Sequence, residues 1–202
     1  MVCRLPHFVG SFYPALPSLS MAALRYEQDV QRLLGRLPPT GIVIDCRYDR
    51  GTYTDVFLQK GYAVYAFTDA AHPPVVPPEQ DPEQLTAITT PVDATLLPHR
   101  TIQSVWAVDT LQGIEPEMAR QRLSLFFDWL LPGGLVSFHL PEGEGRKTVR
   151  VQGAAGITQH RIYQYQPDSV EQLVQAAGLR TVDAWREGPL ERQTIHIIAE
   201  KP

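Results

Sequence analysis

The sequence predicts an α/β domain with a doubly wound, mostly parallel sheet that ends in an antiparallel C-terminal hairpin. Three observations carry this. Short β-rich runs near 41–46, 62–67, 104–108 and 135–140 alternate with stretches of helical periodicity, the pattern of successive βαβ units. The segment Gly41-Ile42-Val43-Ile44-Asp45-Cys46-Arg47-Tyr48-Asp49-Arg50-Gly51 reads as a buried strand, a tight turn and the start of a helix. In such folds that turn, at the carboxyl end of the first strand, is where a nucleotide-like ligand sits. Finally, 179–185 and 194–199 are both strand-like with no helix between them, so they should pair antiparallel.

The bulk composition narrows the function classes. A chain of 202 residues suits one domain, and it can bury roughly 70% of its unfolded surface without a disulfide or metal staple. The net charge of −4 gives no basic footprint for nucleic acid. Two cysteines, Cys3 and Cys46, make no disulfide framework and suit a reducing compartment. No apolar run approaches the roughly 18 residues of a membrane span. Arg4 is the one early charge, and Pro6, Pro14 and Pro17 interrupt the start, a poor signal peptide. A cytoplasmic protein with no membrane partner is expected.

Taken in order, residues 1–19 form an irregular N-terminal arm, and 20–202 form the domain. Ser20 can cap a helix over about 21–36, stopped by Pro38 and Pro39. After the first strand and turn, a helix over 52–60 ends at Gly61 in a left-handed cap. A strand over 62–67 follows. The prolines at 73, 74, 77, 78 and 82 forbid a long helix. A short helix fits at 82–88 and a strand near 88–92. Glu115-Pro116-Glu117 opens a helix to Leu130, with proline at its first position and acids at its positive end. Pro132-Gly133-Gly134 is expected to terminate it. Residues 142–156 read as a polar loop. Asp168 or Ser169 caps a last helix to about 177, closed by Gly178.

Several segments together resemble the class I S-adenosylmethionine-dependent methyltransferases, in particular a small bacterial subgroup of types 11 and 12. Gly41 to Gly51 lies where that family has its first strand and acidic-Gly-x-Gly-x-Gly turn. Val92-Asp93-Ala94-Thr95-Leu96-Leu97-Pro98 resembles the Gly-Asp-Ala-x-x-Leu-Pro segment. Val105-Trp106-Ala107 resembles the fourth strand, and Leu131-Pro132-Gly133-Gly134 the turn before the fifth. Pro141-Glu142-Gly143-Glu144-Gly145 resembles a Glu-Gly-Glu-Gly loop. The likeness spans about 12–201. It implies a seven-stranded Rossmann-like sheet, S-adenosylmethionine as cofactor and a small-molecule methyl acceptor.

The resemblance also implies cofactor-binding residues: Asp45 and Gly51 at the glycine turn, Asp69 at the end of the second strand, and Asp93 with Ala94 near the adenine. By count from Gly61 the ribose acid falls on Thr68, and a one-residue shift places it on Asp69. The sequence departs from the family at four points. Arg47 and Asp49 stand at the first two glycine positions, Thr68 at the ribose acid, and Gly113 where the subgroup has a histidine. Side chains at Arg47 and Asp49 should project toward the amino-acid end of the cofactor, and positive φ there costs about 1 kcal/mol or more per residue. Two functions follow from the same frame. One is a methyltransferase of altered contacts acting on a small molecule. The other is an inactive methyltransferase-like binding or assembly module with a protein partner.

His139, at the end of the fifth strand, and Asp109, just past the fourth, are the catalytic candidates for a methyl acceptor. Tyr163 and Tyr165 line an acceptor pocket or simply pack a strand. Arg47 and Arg50 make an anion site at the helix start or pair with neighbouring acids. Ile44-Asp45-Cys46-Arg47-Tyr48 also resembles the start of a rhodanese or Cdc25-type phosphatase domain. That chemistry needs a later cysteine in an arginine-closed loop, and none follows Cys46. Cys46 is therefore read as a small buried residue. No two of the six histidines show metal-ligand spacing, so no metal site is expected.

Overall fold

The computed structural model describes residues 26–47, 52–68, 81–153, 156–189 and 192–202. The arm at 1–19, the Ser20 cap and the proline cluster up to Gln80 lie outside these residues, as do Tyr48 to Gly51 and Asp69.

Helix α1 (Glu27–Leu34) has Glu27 and Asp29 in its first turn and Arg32 in its last, matching the helix dipole. It buries Asp29, Val30 and Leu33. Strand β1 (Ile42–Asp45) follows Gly41, whose φ is +147°. A Cβ at Gly41 would come within 2.8 Å of the Gln103 Cβ, so glycine is required there. Helix α2 (Thr52–Gln59) ends as expected at Gly61, in the left-handed region at φ +87°. The Tyr62 N–H then donates back to the Phe57 carbonyl at 3.1 Å.

Strand β2 (Ala63–Phe67) leads to the first correction. In place of a helix at 82–88 there is one 3-10 turn, Pro82–Gln84, and strand β3 is Leu85–Ile88, three residues earlier than expected. Its parallel register against Val64 to Phe67 fixes that position. A second 3-10 turn, Val92–Ala94, precedes β4 (Ile102–Trp106). Helix α3 (Pro116–Trp129) starts on its proline as expected. It ends at Trp129, before Pro132-Gly133-Gly134, and β5 (Leu130–Pro141) begins at once. The two glycines shape the irregular start of β5 instead. Gly133 has φ +76°, and the register with β4 slips between Ile102 and Ser104.

The expected loop over 142–156 is largely a β-hairpin. Strands β6 (Arg146–Gly153) and β7 (Gly156–Tyr163) form a separate two-stranded antiparallel ribbon. Helix α4 (Pro167–Ala176) starts one residue before the predicted caps, with Gln166 at the N-cap position and no side-chain cap bond. Strands β8 (Arg180–Glu187) and β9 (Thr194–Glu200) pair antiparallel, as expected.

The main sheet has seven strands in the order β3-β2-β1-β4-β5-β9-β8. The first five are parallel, and β9 runs antiparallel to both β5 and β8. The fold is thus the doubly wound, mostly parallel sheet that the sequence predicts. One face packs under α3 and α4 through Leu123, Phe126, Trp129, Val136, Phe138 and Leu140. The other packs under α1 and α2 through Val30, Leu33, Val43, Phe57, Trp106 and Ile198. Because side chains alternate along a strand, His139 and His196 face the α1/α2 side, between neighbours that face α3 and α4.

Candidate functional site

The chain leaves β1 toward β2 and later returns to β4 on the opposite flank of β1. The carboxyl ends of β1 and β4 therefore form the switch point of the sheet, where open α/β sheets bind ligands. Asp45 ends β1 and is 2% exposed. Its Oδ1 accepts the Arg47 N–H at 3.1 Å, and its Oδ2 accepts the Thr54 hydroxyl at 2.6 Å. Asp45 thus ties the end of the strand to the first turn of α2.

Asp109 lies just past β4 at φ +58°, a costly backbone conformation for a non-glycine residue. Four groups converge on its carboxylate. Tyr26 donates its hydroxyl at 3.1 and 3.2 Å, and Gln112 donates from Nε2 at 2.8 Å. His139 Nε2 lies 2.9 Å from Oδ1, and an Arg47 guanidinium nitrogen lies 3.9 Å from Oδ2. Burial pushes the Asp109 carboxyl up, but the contacts with His139, Tyr26 and Arg47 outweigh it, and the net shift is downward. The structure therefore brings the two catalytic candidates into contact. It separates their exposure: His139 is 2% exposed beneath the stacked ring of Tyr26, at 5.1 Å, whereas the Asp109 side chain is 22% exposed. Asp109 is reachable from solvent, and His139 stands behind it.

The expected adenine end is arranged differently. Asp93 forms a two-point pair with the Arg122 guanidinium, whose Nε donates to Oδ1 at 2.7 Å. The hydrogen bond from Arg122 holds the Asp93 carboxyl below its ordinary range. Arg122 also donates to the Thr110 carbonyl at 3.2 Å, joining the 92–94 turn to the segment after β4. The Ala94 N–H donates to the Pro91 carbonyl at 2.9 Å within its own turn. Gly51 and Asp69 lie outside the described residues, as does Arg50 of the proposed anion pair. Cys46 is buried, and burial first, then the charge of Asp45, raises its thiol well above the ordinary value, which suits a packing residue and not a nucleophile.

A cavity of about 750 Å³ opens on the α3/α4 side, bounded by segments that follow β4 and β5. Glu115, Gly143, Tyr163, Tyr165 and Leu173 line it. The Tyr163 hydroxyl donates to Glu115 at 3.2 Å. The Tyr165 hydroxyl is buried without a hydrogen-bond partner among the described residues, and burial first, then Tyr163, pushes its pKa to about 12. Both tyrosines named from the sequence thus face a pocket. Sequence reasoning missed a third assembly: Asp29, His139 and His196 place one ligand atom each within 4.8 Å of one another. Residues this far apart in the chain carry no spacing signal.

No family model matches the chain, and no curated protein matches it. Solved structures do. The chain is similar to the 1,6-didemethyltoxoflavin-N1-methyltransferase of Burkholderia thailandensis, a structure with bound 1,6-didemethyltoxoflavin and S-adenosylhomocysteine. The two share 21% identity over 90% of this chain and 79% of the other, with a TM-score of 0.63. A Methanosarcina mazei S-adenosylmethionine-dependent methyltransferase shares 12% identity over 84% and 96% of the two chains, at a TM-score of 0.67. The glycopeptide N-methyltransferase MtfA, complexed with S-adenosylhomocysteine, shares 14% over 88% and 90%, at 0.65. With its seven-stranded order and antiparallel β9, the chain has the Rossmann-like fold of the class I S-adenosylmethionine-dependent methyltransferases.

Proposed function

We propose that the protein is an S-adenosylmethionine-dependent methyltransferase acting on a small molecule. The observation that carries this is the charged switch point at the carboxyl ends of β1 and β4; an acceptor-sized cavity lies on the α3/α4 side of the same fold. The amino-acid end of the cofactor presents a carboxylate, an ammonium and a sulfonium. The switch point offers charges of both signs: the half-exposed Arg47 guanidinium and the partly exposed Asp109 carboxylate, with the buried Asp45 holding the turn behind them. The cavity of about 750 Å³ falls in the range of pockets that enclose small organic ligands. Solved structures of this fold include complexes with S-adenosylmethionine and S-adenosylhomocysteine, which supports the same cofactor class.

When bound, the cofactor supplies an electrophilic methyl group on a sulfonium. The protein's part is to hold, orient and exclude water. Asp45 fixes the turn through Arg47 and Thr54. Asp109, kept ionised by its donors, is placed to accept a hydrogen bond from the N–H or O–H of an acceptor. In this role Arg47 replaces the backbone approach of a glycine with a charged side chain.

A second reading has its own observation. Asp93 is engaged by Arg122, and the Ala94 N–H by Pro91, so two contacts expected for adenine are spent within the protein. This favours a cofactor-free binding or assembly module. Titration calorimetry with S-adenosylmethionine and S-adenosylhomocysteine separates the two. Binding in the micromolar range, weakened roughly tenfold by Arg47→Ala, is expected. No heat at high protein concentration would overturn the enzyme in favour of the module.

A further inference from the structure

We propose that Asp29, His139 and His196 form a binding site for a divalent transition-metal ion of the zinc class, beneath the switch point. This does not depend on methyl transfer. His139 and His196 are directly opposed across β5 and β9 and project to the same face. Asp29 of α1 comes down onto them. All three are 2–3% exposed. One ligand atom from each lies within 4.8 Å of the others, and the His196 Nδ1 to Asp29 Oδ2 distance is 2.7 Å.

Two features point to an ion and not only to a hydrogen-bonded cluster. First, two buried polar atoms of the cluster are left over. His139 Nδ1 and Asp29 Oδ1 are buried without a hydrogen-bond partner among the described residues. A buried polar atom left unpaired costs about 1–3 kcal/mol, more if charged, so two together need an explanation. A divalent ion answers both and compensates a buried carboxylate. Second, the outer nitrogens of both histidines already face carboxylates. His139 Nε2 lies 2.9 Å from Asp109, and His196 Nε2 lies 3.5 Å from Glu187. At His139 that is the arrangement that fixes the tautomer of a metal-bound imidazole, leaving Nδ1 for the ion; at His196 the Nδ1 that now meets Asp29 would turn to the ion. Stacked rings wall the site: Tyr26 on His139 and Trp185 on His196, each at 5.1 Å.

Two imidazoles and one carboxylate suit zinc, with a fourth position left for water. An ion here would join α1 to β5 and β9, and through His139 it would hold Asp109 in place.

The test uses the full chain, stripped by a chelator and titrated with Co²⁺. One equivalent should bind with visible ligand-field bands, and Zn²⁺ should bleach them. Asp29→Asn and His196→Gln should abolish the bands. Glu187→Gln, at an exposed side chain outside the ligand set, should keep the fold and weaken binding roughly tenfold or more. Circular dichroism checks that each variant is folded. A folded wild-type chain that takes up neither Co²⁺ nor Zn²⁺ would overturn the site, and so would uptake unchanged in folded Asp29→Asn and His196→Gln. Calorimetry with S-adenosylmethionine on the metal-free chain is a separate readout, so failure of one proposal leaves the other standing.

Discussion

The two faces of the sheet are built from different materials. Under α3 and α4 the buried residues are almost all apolar, with Leu123, Phe126, Trp129, Phe138 and Leu140 at 0–1% exposure. Under α1 and α2 the buried set includes Asp29, Asp45, Thr54, His139 and His196. A single strand serves both, since Phe138 and Leu140 of β5 face one way and His139 between them faces the other. Apolar packing stabilises by area and tolerates approximate fit. Buried polar groups stabilise only when paired, and they specify geometry. The α3/α4 face therefore carries most of the stability, and the α1/α2 face carries the arrangement on which a reaction or a bound ion would depend.

The largest effect should come from opening the apolar face. Trp129→Ala is expected to cost about 3–5 kcal/mol in urea unfolding, with residual ligand or metal binding intact in the folded fraction. On the polar face, Asp29→Ala leaves His196 without its buried carboxylate. It should cost about 3 kcal/mol and also loosen α1, seen as faster amide exchange there. If Asp29→Ala is neutral, the contrast between the faces fails. Thr54→Val removes the hydroxyl that Asp45 accepts, and about 1–3 kcal/mol should be lost by the same measurement.

The pH dependence sharpens the comparison further. The Asp109 carboxyl is depressed in the folded state relative to about 3.9 unfolded. Its contribution is fully present above the unfolded value and is lost as pH falls through the folded one. Stability of Asp109→Asn should thus trail the wild type at neutral pH and converge with it below about pH 4, by denaturant titration across pH. The smallest effect is expected outside both faces. The Arg180–Glu200 pair is 66% and 25% exposed, and Arg180→Ala should cost under about 1 kcal/mol.

What was legible in the sequence follows the same division. Apolar strands announce themselves, so β1, β2 and the β8–β9 hairpin fall where the pattern places them, and β4 lies two residues earlier than expected. The ribbon β6–β7 was hidden because it packs little of itself into the core. Ile157, one of its apolar residues, is 66% exposed, and alternation without burial reads as loop. Pro132-Gly133-Gly134 looked like a helix stop because its residue types suit one; the register of β5 against β4 uses it as a bulged strand start. Asp109 and His139 are named from strand ends and Asp45 from the resemblance, and the structure adds their contacts. Asp29 and His196 escaped notice because tertiary register, not local spacing, brings them together.

That pairing also orders events in time. Asp29 and His196 are 167 residues apart, and β9 sits between β5 and β8 rather than at an edge. Contacts of such separation close late, after the loop entropy between them has been overcome by other structure. Until β9 threads into its place, Asp29 lacks the His196 ring that it meets at 2.7 Å, and its carboxylate favours water over the sheet. Docking of the first helix thus reports that the last strand is in register. The polar face becomes a proofreading contact for the assembled sheet, closed only when both ends of the fold are correct.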